Sequence, residues 1–228
     1  KCKKTIVSIF INPSQFNKKN DYKKYPRKLS NDIEILKRLK IDFLFLPRKN
    51  QIYKNKKIMK LKLSTKDKIL CAKFRKGHFE GVLAVINQYL NIIKPRYMFL
   101  GNKDFQQLYL IKKFVKKKFK TKMVSCKTIR DKKMVALSSR NNLLSNKDLY
   151  SSSKIAKLLF KFKKILSKNF NKKKQIKKIK DEINKLKNID LEYLEIRNKF
   201  NLSNKINKHN FKIFVAYYNK NVRLIDNY

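Results

Sequence analysis

Apolar and polar residues alternate in blocks over the first part of the chain. "TIVSIFI" (5–11) is a β-branched apolar run closed by "NPSQF", the pattern of a strand buried on both faces and followed by a turn. It predicts a central parallel strand. "SNDIEILKRLK" opens on the capping types Ser30, Asn31 and Asp32 and sets Ile33, Leu36 and Leu39 on one helical face. "IDFLFLP" reads as a second buried strand stopped by Pro47. "GHFEGVLAVINQYLNIIK" is too densely apolar for a solvent-facing helix and predicts a buried one. "RYMFLG" is a third strand and "KMVSCKTI" a fourth. Between them "DFQQLYLIKKFVKKKFK" is a helix with Phe105, Leu108, Ile111, Val115 and Phe119 at helical spacing.

This alternation, up to Ile129, predicts an α/β fold: an open parallel sheet with helices on both faces and ligands at the carboxyl ends of its strands. Beyond "LSSRN" the texture changes. Asn146 to about Leu186 reads as lysine-rich helix, and "LEYLEIR", "FKIFVAYY" and "VRLID" read as strands. The expected division is therefore residues 1–129, then a smaller α+β domain over 130–228.

Glycine changes the picture next. The chain has three, and two of them, Gly77 and Gly81, fall in "FRKGHFEGV" on either side of His78. Glycine serves where the backbone needs positive φ or a close approach, so this segment marks a special place. His78 there is either a cleft residue or a core histidine with a satisfied hydrogen bond.

Charge suggests a polyanion partner at first sight, with a formal net charge of +46. Of the 61 basic residues nine are arginine, however, and the lysines are spread throughout together with Asn, Ile, Phe and Tyr. Drift in an AT-biased coding sequence accounts for that composition, so no specific nucleic acid is expected. The run "KNFNKKKQIKKIKDEINKLK" is read as the solvated face of a helix. Cys2, Cys71 and Cys126 are odd in number and widely spaced, which indicates neither a disulfide framework nor a zinc site and fits a reducing cytosol. No apolar run approaches the roughly 18 residues of a membrane span. A soluble cytoplasmic chain is the expectation.

Three constellations could carry chemistry. "FLGNKDFQQL" places Gly101 at the end of a strand, then Lys103 and Asp104, at the start of a helix. Free N–H groups and the positive dipole end there suit a phosphate, although a surface lysine beside an N-capping aspartate has the same look. "VALSSRNNLL" gathers two hydroxyls and a guanidinium, which suit a triphosphate, or else forms a Ser-rich turn before a helix. "INPSQF" sets Asn12 and Gln15 at the mouth of the first strand, where amides can hold hydroxyls or a carboxylate, or Asn12 can close a turn.

Taken in order, "VSIFINPSQF", "YPRKLSNDIEILK", "RKGHFEGV", "FLGNKDFQQL", "ALSSRNNLLS", "LEYLEIR" and "RLIDN" resemble the pantoate-beta-alanine ligase (pantothenate synthetase) family over residues 5–227. The resemblance implies a Rossmann-like nucleotidyltransferase fold of the HIGH-motif type with a C-terminal lid domain. It implies a homodimer in the cytoplasm that uses ATP with Mg²⁺, pantoate and beta-alanine. By the family's pattern ATP meets Gly101, Asn102, Lys103, Asp104, Ile129, Leu137, Ser138, Ser139 and Arg140, with Asn102 replacing the usual Glu. Gln15 and Gln107 take the places of the pantoate glutamines, Gln15 also lying near beta-alanine, and Asn12 and His78 those of cleft residues. Lys76 replaces a usual Pro. The family's M-G-x-L-H-x-G-H segment, whose histidines contact the phosphates, has no counterpart between Lys1 and Tyr228. Feeble activity of the chain on its own is expected from that difference. A related adenylyltransferase, a decayed remnant of the ligase and a basic nucleic-acid-binding protein are the alternatives.

Overall fold

The computed structural model describes residues 2–13, 22, 28–53, 61–170 and 172–228, the side chains of 172–174 excepted. Gln15 lies outside the described residues. By packing, the chain falls into two compact units, Lys1–Arg96 with Lys116–Thr121, and Tyr97–Val115 with Lys122–Tyr228. This partition follows contacts, whereas the expected division at residue 129 follows the change of texture in the sequence.

In the first unit β1 (Ile6–Ser8) pairs in parallel with β2 (Phe43–Phe45), and helix α1 (Leu29–Arg38) lies between them in sequence. Asp42 joins the two strands at their starts: its carboxylate accepts from the Thr5 backbone and hydroxyl, each at 2.8 Å, and from Lys4 at 2.9 Å. The Lys4 hydrogen bond, followed by those of Thr5, holds the Asp42 carboxyl well below the usual carboxylate range. β1 is not the central strand expected, buried on both faces. Among the described residues it pairs with β2 alone, and Ile6 and Phe43 are exposed. Helix α1 likewise starts earlier than the capping types suggest. Lys28 is its N-cap and makes no side-chain cap bond, so Ser30, Asn31 and Asp32 sit inside the first turn.

Two short helices, α2 (Lys49–Ile52) and α3 (Cys71–Phe74), precede α4 (His78–Ile93). The last is the buried helix predicted, with Phe79, Val82, Leu83, Val85, Ile86 and Leu90 inside. Its Val85 and Tyr89 pack with Ile52, Phe10, Phe45 and Tyr53. Gly77 is the N-cap, at φ +78° in the left-handed region, which explains one of the paired glycines directly.

The second unit begins with β3 (Tyr97–Gly101), paired in parallel with β4 (Lys122–Cys126), and α5 (Phe105–Lys118) connects them. Beyond β4 come α6 (Asn146–Lys168), α7 (Lys172–Asn184) and an antiparallel sheet of β5 (Ile189–Asn198), β6 (Phe211–Asn219) and β7 (Val222–Asn227), in the order β5-β6-β7. The α/β fold with parallel strands and a C-terminal α+β portion is thus as expected. Alternate residues of β6, Ile213, Val215 and Tyr217, join Leu159, Phe162 and Leu166 of α6 in the main core. The other alternates, Phe214 and Ala216, are buried as well, so β6 is covered on both faces.

Helix α6 is capped by Ser145 and Asp148, which bond to each other's backbone N–H reciprocally. The Asp148 carboxylate also meets Lys220 at 2.7 Å, and that bond, then those from Ser145, lower its pKa. A lowered carboxyl pKa contributes stability that is complete above the ordinary value of about 4 and is lost as pH falls through the folded value. Asp148→Asn is therefore expected to flatten the acid limb of the stability curve. Denaturation midpoints measured between about pH 5 and about pH 2 should fall less in the variant than in the parent; parallel curves would contradict this.

Candidate nucleotide site

The segments expected to hold ATP all lie in the second unit. Gly101 ends β3, and Asn102–Asp104 form a single 3-10 turn that runs directly into α5. Lys103 is half-buried and Asp104 exposed. Gly101 has an ordinary extended φ, and the space a Cβ would occupy is open, so the protein itself does not require glycine there. One turn into α5, Gln107 is half-buried while its neighbour Gln106 is buried.

Ile129 and Leu137 are brought together by a backbone hydrogen bond, Leu137 N–H to the Ile129 carbonyl at 3.0 Å, beside the bridge between Arg130 and Ala136. Both side chains are exposed, at 65% and 52%, which leaves an apolar pair at the surface next to Ser138. Asp131 closes this small hairpin by accepting from the backbone of Lys133 and Val135. Ser138 caps the 3-10 turn Ser139–Leu143, its hydroxyl accepting from Arg140 N–H at 3.3 Å. Ser138 and Ser139 thus stand at the start of a turn that precedes α6 (Asn146–Lys168). Ser139 beside it is exposed.

Strand β7 links these segments. Asn227 donates from Nδ2 to the carbonyls of Asn102 and Lys103, at 2.9 and 2.8 Å, and so clasps the Lys103 turn by its backbone. Arg140 donates to the Arg223 carbonyl at 3.2 Å. Between these points Arg130 closes on Asp226 with two bonds of 2.6 and 2.8 Å, and reaches the carbonyls of Met134 and Asn227 as well. Its guanidinium lies 5.0 Å from the Phe160 ring centre and 4.7 Å from that of Tyr228. Burial works against the Arg130 charge, yet the hydrogen bond and charge of Asp226 keep its pKa above the ordinary value. Burial, then the Asp226 charge, pushes the Tyr228 hydroxyl well above its ordinary value, so it stays protonated and donates to Asp226 at 2.7 Å. Behind the turn, Lys212 stands 5.0 Å from the Phe105 ring centre. Burial first, then the charge of Lys163, pushes that amine down to about 8.

In the first unit Asn12 is fully buried and its Nδ2 donates to the Gly81 carbonyl at 3.3 Å, which ties the end of the β1 segment to the first turn of α4. His78 is buried at the start of the same helix. The Arg75 guanidinium lies 3.1 Å from its Nε2, and because a guanidinium can only donate, that nitrogen is placed to accept. The bland reading of His78, a satisfied core histidine, describes these contacts.

A model of the family described as pantoate-beta-alanine ligase matches residues 1–228. The chain belongs to the pantoate-beta-alanine ligase family. A pantothenate synthetase of Francisella philomiragia is 40% identical over 230 residues, which cover 98% of this chain and 78% of that relative. Among solved structures, the pantothenate synthetase of Thermus thermophilus superposes with a TM-score of 0.90 at 25% identity, over 99% of this chain and 83% of the other. The pantoate-beta-alanine ligase of Francisella tularensis, complexed with beta-gamma ATP and beta-alanine, gives a TM-score of 0.81 at 37% identity, over 99% of this chain and 79% of the other. This chain is accordingly an ATP-dependent ligase by family.

Within this ligase chain the residues not anticipated from sequence are Arg130, Asp226, Asn227 and Tyr228. "RLIDN" stands among the motifs of the resemblance, but nothing in it names partners about a hundred positions away. One signal was present: an arginine and an aspartate in a chain of nine arginines and fifteen acidic residues. Asp226→Ala would leave the Arg130 charge enclosed, with only 14% of its side chain exposed, and without its carboxylate. Breaking such a pair costs about 3 kcal/mol or more. Chemical denaturation should register that loss, and a change under about 1 kcal/mol would place the pair with weak surface bridges.

Proposed function

We propose that this chain condenses pantoate with beta-alanine through a pantoyl adenylate, with the residues above in the following roles. Lys103, Arg140, Ser138 and Ser139 receive the triphosphate, where the turn Gly101–Asp104 presents the N-terminal N–H groups of α5 (Phe105–Lys118). The exposed apolar pair Ile129 and Leu137 faces the adenine. Gln107, together with Gln15, binds pantoate through neutral amides that hold hydroxyls and a carboxylate without quenching its nucleophilicity. Gln15 also serves beta-alanine. In the first unit Asn12 and His78 serve as cleft residues.

The observation that supports this reading best is the bracing of the Lys103 turn and the Arg140 segment on one strand, by Asn227 and the Arg223 carbonyl. A lysine held by its backbone and a guanidinium held by a carbonyl suit a reaction whose chemistry is positioning and charge stabilisation. In the first step a pantoate carboxylate oxygen attacks the α-phosphorus, forming a P–O bond while the bond to pyrophosphate breaks. In the second, the amine of beta-alanine attacks the acyl carbon, AMP leaves with the C–O electrons, and the amine proton passes to solvent. Neither step needs a covalent enzyme intermediate. Among the described residues no group of three or more His, Cys, Asp or Glu side chains could hold a metal ion. Mg²⁺ is typically bound by one or two carboxylates plus substrate phosphates, and the exposed Asp104 beside Lys103 fits that donor set. When bound it neutralises phosphate charge. No helix among the described residues is long and apolar enough to cross a membrane. The proposed reading takes the enzyme as a cytoplasmic homodimer that carries no specific nucleic acid.

Two substitutions separate the roles. Lys103→Ala is expected to slow pantoate-dependent ATP–pyrophosphate exchange by a factor on the order of 10²; an unchanged exchange rate would mean that Lys103 does not meet the phosphates. Gln107→Ala removes a hydrogen bond to a charged group, so the pantoate KM should rise about tenfold while the ATP KM stays near its parent value. Equal rises in both would remove Gln107 from the pantoate site.

A further inference from the structure

Two groups of the first unit, the Gly81 carbonyl and the Tyr53 hydroxyl, meet the Asn12 side chain, and their chemistry sets its orientation. The Gly81 carbonyl can only accept, so the Asn12 amide must present Nδ2 to it, as it does at 3.3 Å. Oδ1 then faces the other way, toward Tyr53, and a carboxamide oxygen can only accept. The Tyr53 hydroxyl therefore donates to it. Asn12 is fully buried, so this orientation is set by protein partners. Tyr53 is itself well anchored. It is the C-cap of α2 (Lys49–Ile52), with its N–H bonded to the Lys49 carbonyl at 2.9 Å, and its ring packs against Phe10, centres 6.4 Å apart. The same apolar cluster contains Ile52, Val85 and Tyr89.

We infer that Tyr53 is a positioning residue for the acid substrate. Its hydroxyl sets the Asn12 amide, and through Asn12 it holds the segment leaving β1 against the first turn of α4, where His78 stands. The inference rests on the proposed function for the identity of the substrate. Tyr53 touches no reacting atom; it decides where the mouth of β1 lies. The ATP segments belong to the second unit and do not share this contact, so Tyr53 should influence one substrate and not the other.

The test is Tyr53→Phe, which removes one oxygen and keeps the ring against Phe10. The expected result is a rise of about tenfold in pantoate KM with the ATP KM within about twofold of the parent. The second readout needs no substrate: the side-chain NH₂ signals of Asn12 in a ¹⁵N spectrum should shift and exchange faster with water in the variant. Asn12→Asp, whose carboxylate can accept from Tyr53 but cannot donate to Gly81, should reproduce the pantoate effect. Unmoved Asn12 amide signals in Tyr53→Phe, or an unmoved pantoate KM, would overturn the inference. If the parent itself shows no pantoate-dependent exchange, the functional reading fails before any variant is made, and the amide signals alone then decide whether Tyr53 sets Asn12.

Discussion

A guanidinium set against two aromatic rings and closed on a carboxylate braces the second unit's candidate site, because the Lys103 turn and the Arg140 segment both lean on the strand that carries the carboxylate. Arg130 and Asp226 join the exit of β4 to β7. One residue further, Asn227 turns its amide to the other sheet face and takes the carbonyls of the Lys103 turn. Alternation along a strand makes both possible at once: Asp226 faces the helix-covered side and Asn227 the opposite one. The charge pair costs desolvation, and its geometry offsets that cost by filling both carboxylate oxygens and by placing the guanidinium on the faces of Phe160 and Tyr228.

The chain's scarce acids are spent in the same manner. With fifteen acidic residues against 61 basic ones, a carboxylate is never short of a cation. Yet several stand where distant segments join: Asp42 with Lys4 and Thr5 at the base of the β1–β2 pair, Asp148 with Lys220, Glu192 with Arg223, and Asp226 with Arg130. Three arginines, Arg130, Arg197 and Arg223, are closed on carboxylates with little of their side chains exposed. The lysine excess stays mostly on the solvent side, as a composition produced by drift would allow.

Local signals were legible and distant ones were not. The dense apolar run from Gly77 predicted a buried helix, and α4 is one. Gly77 marked a positive φ, as its rarity suggested, whereas Gly101 did not, its backbone being extended. The motifs around Lys103 and Arg140 were readable because each lies within a few residues, enough to place the chain in its family. Asn227, whose partners lie 124 and 125 positions back, leaves no local periodic trace. The capping types at Ser30–Asp32 misled by two positions because Lys28 begins the helix without a side-chain bond. "TIVSIFI" misled differently. A strand's hydrophobic run predicts burial only where neighbours cover it, and β1 has β2 as its one partner among the described residues.

The clasp on the Lys103 turn also bears on how the protein forms. A contact spanning more than a hundred residues closes a long loop, and the entropy of that closure is met only when much of the intervening chain is already compact. β3, α5 and β4 can assemble from near neighbours, and so can the β5–β6–β7 meander. The turn between β3 and α5, however, gains the Asn227 clasp only once β7 is in place beside it. A folding intermediate with both substructures formed and the Asn227 amide not yet seated would have native secondary structure and a loose turn at Lys103. On the proposed role of Lys103, the appearance of nucleotide binding would then lag behind that of helical and strand signal during refolding.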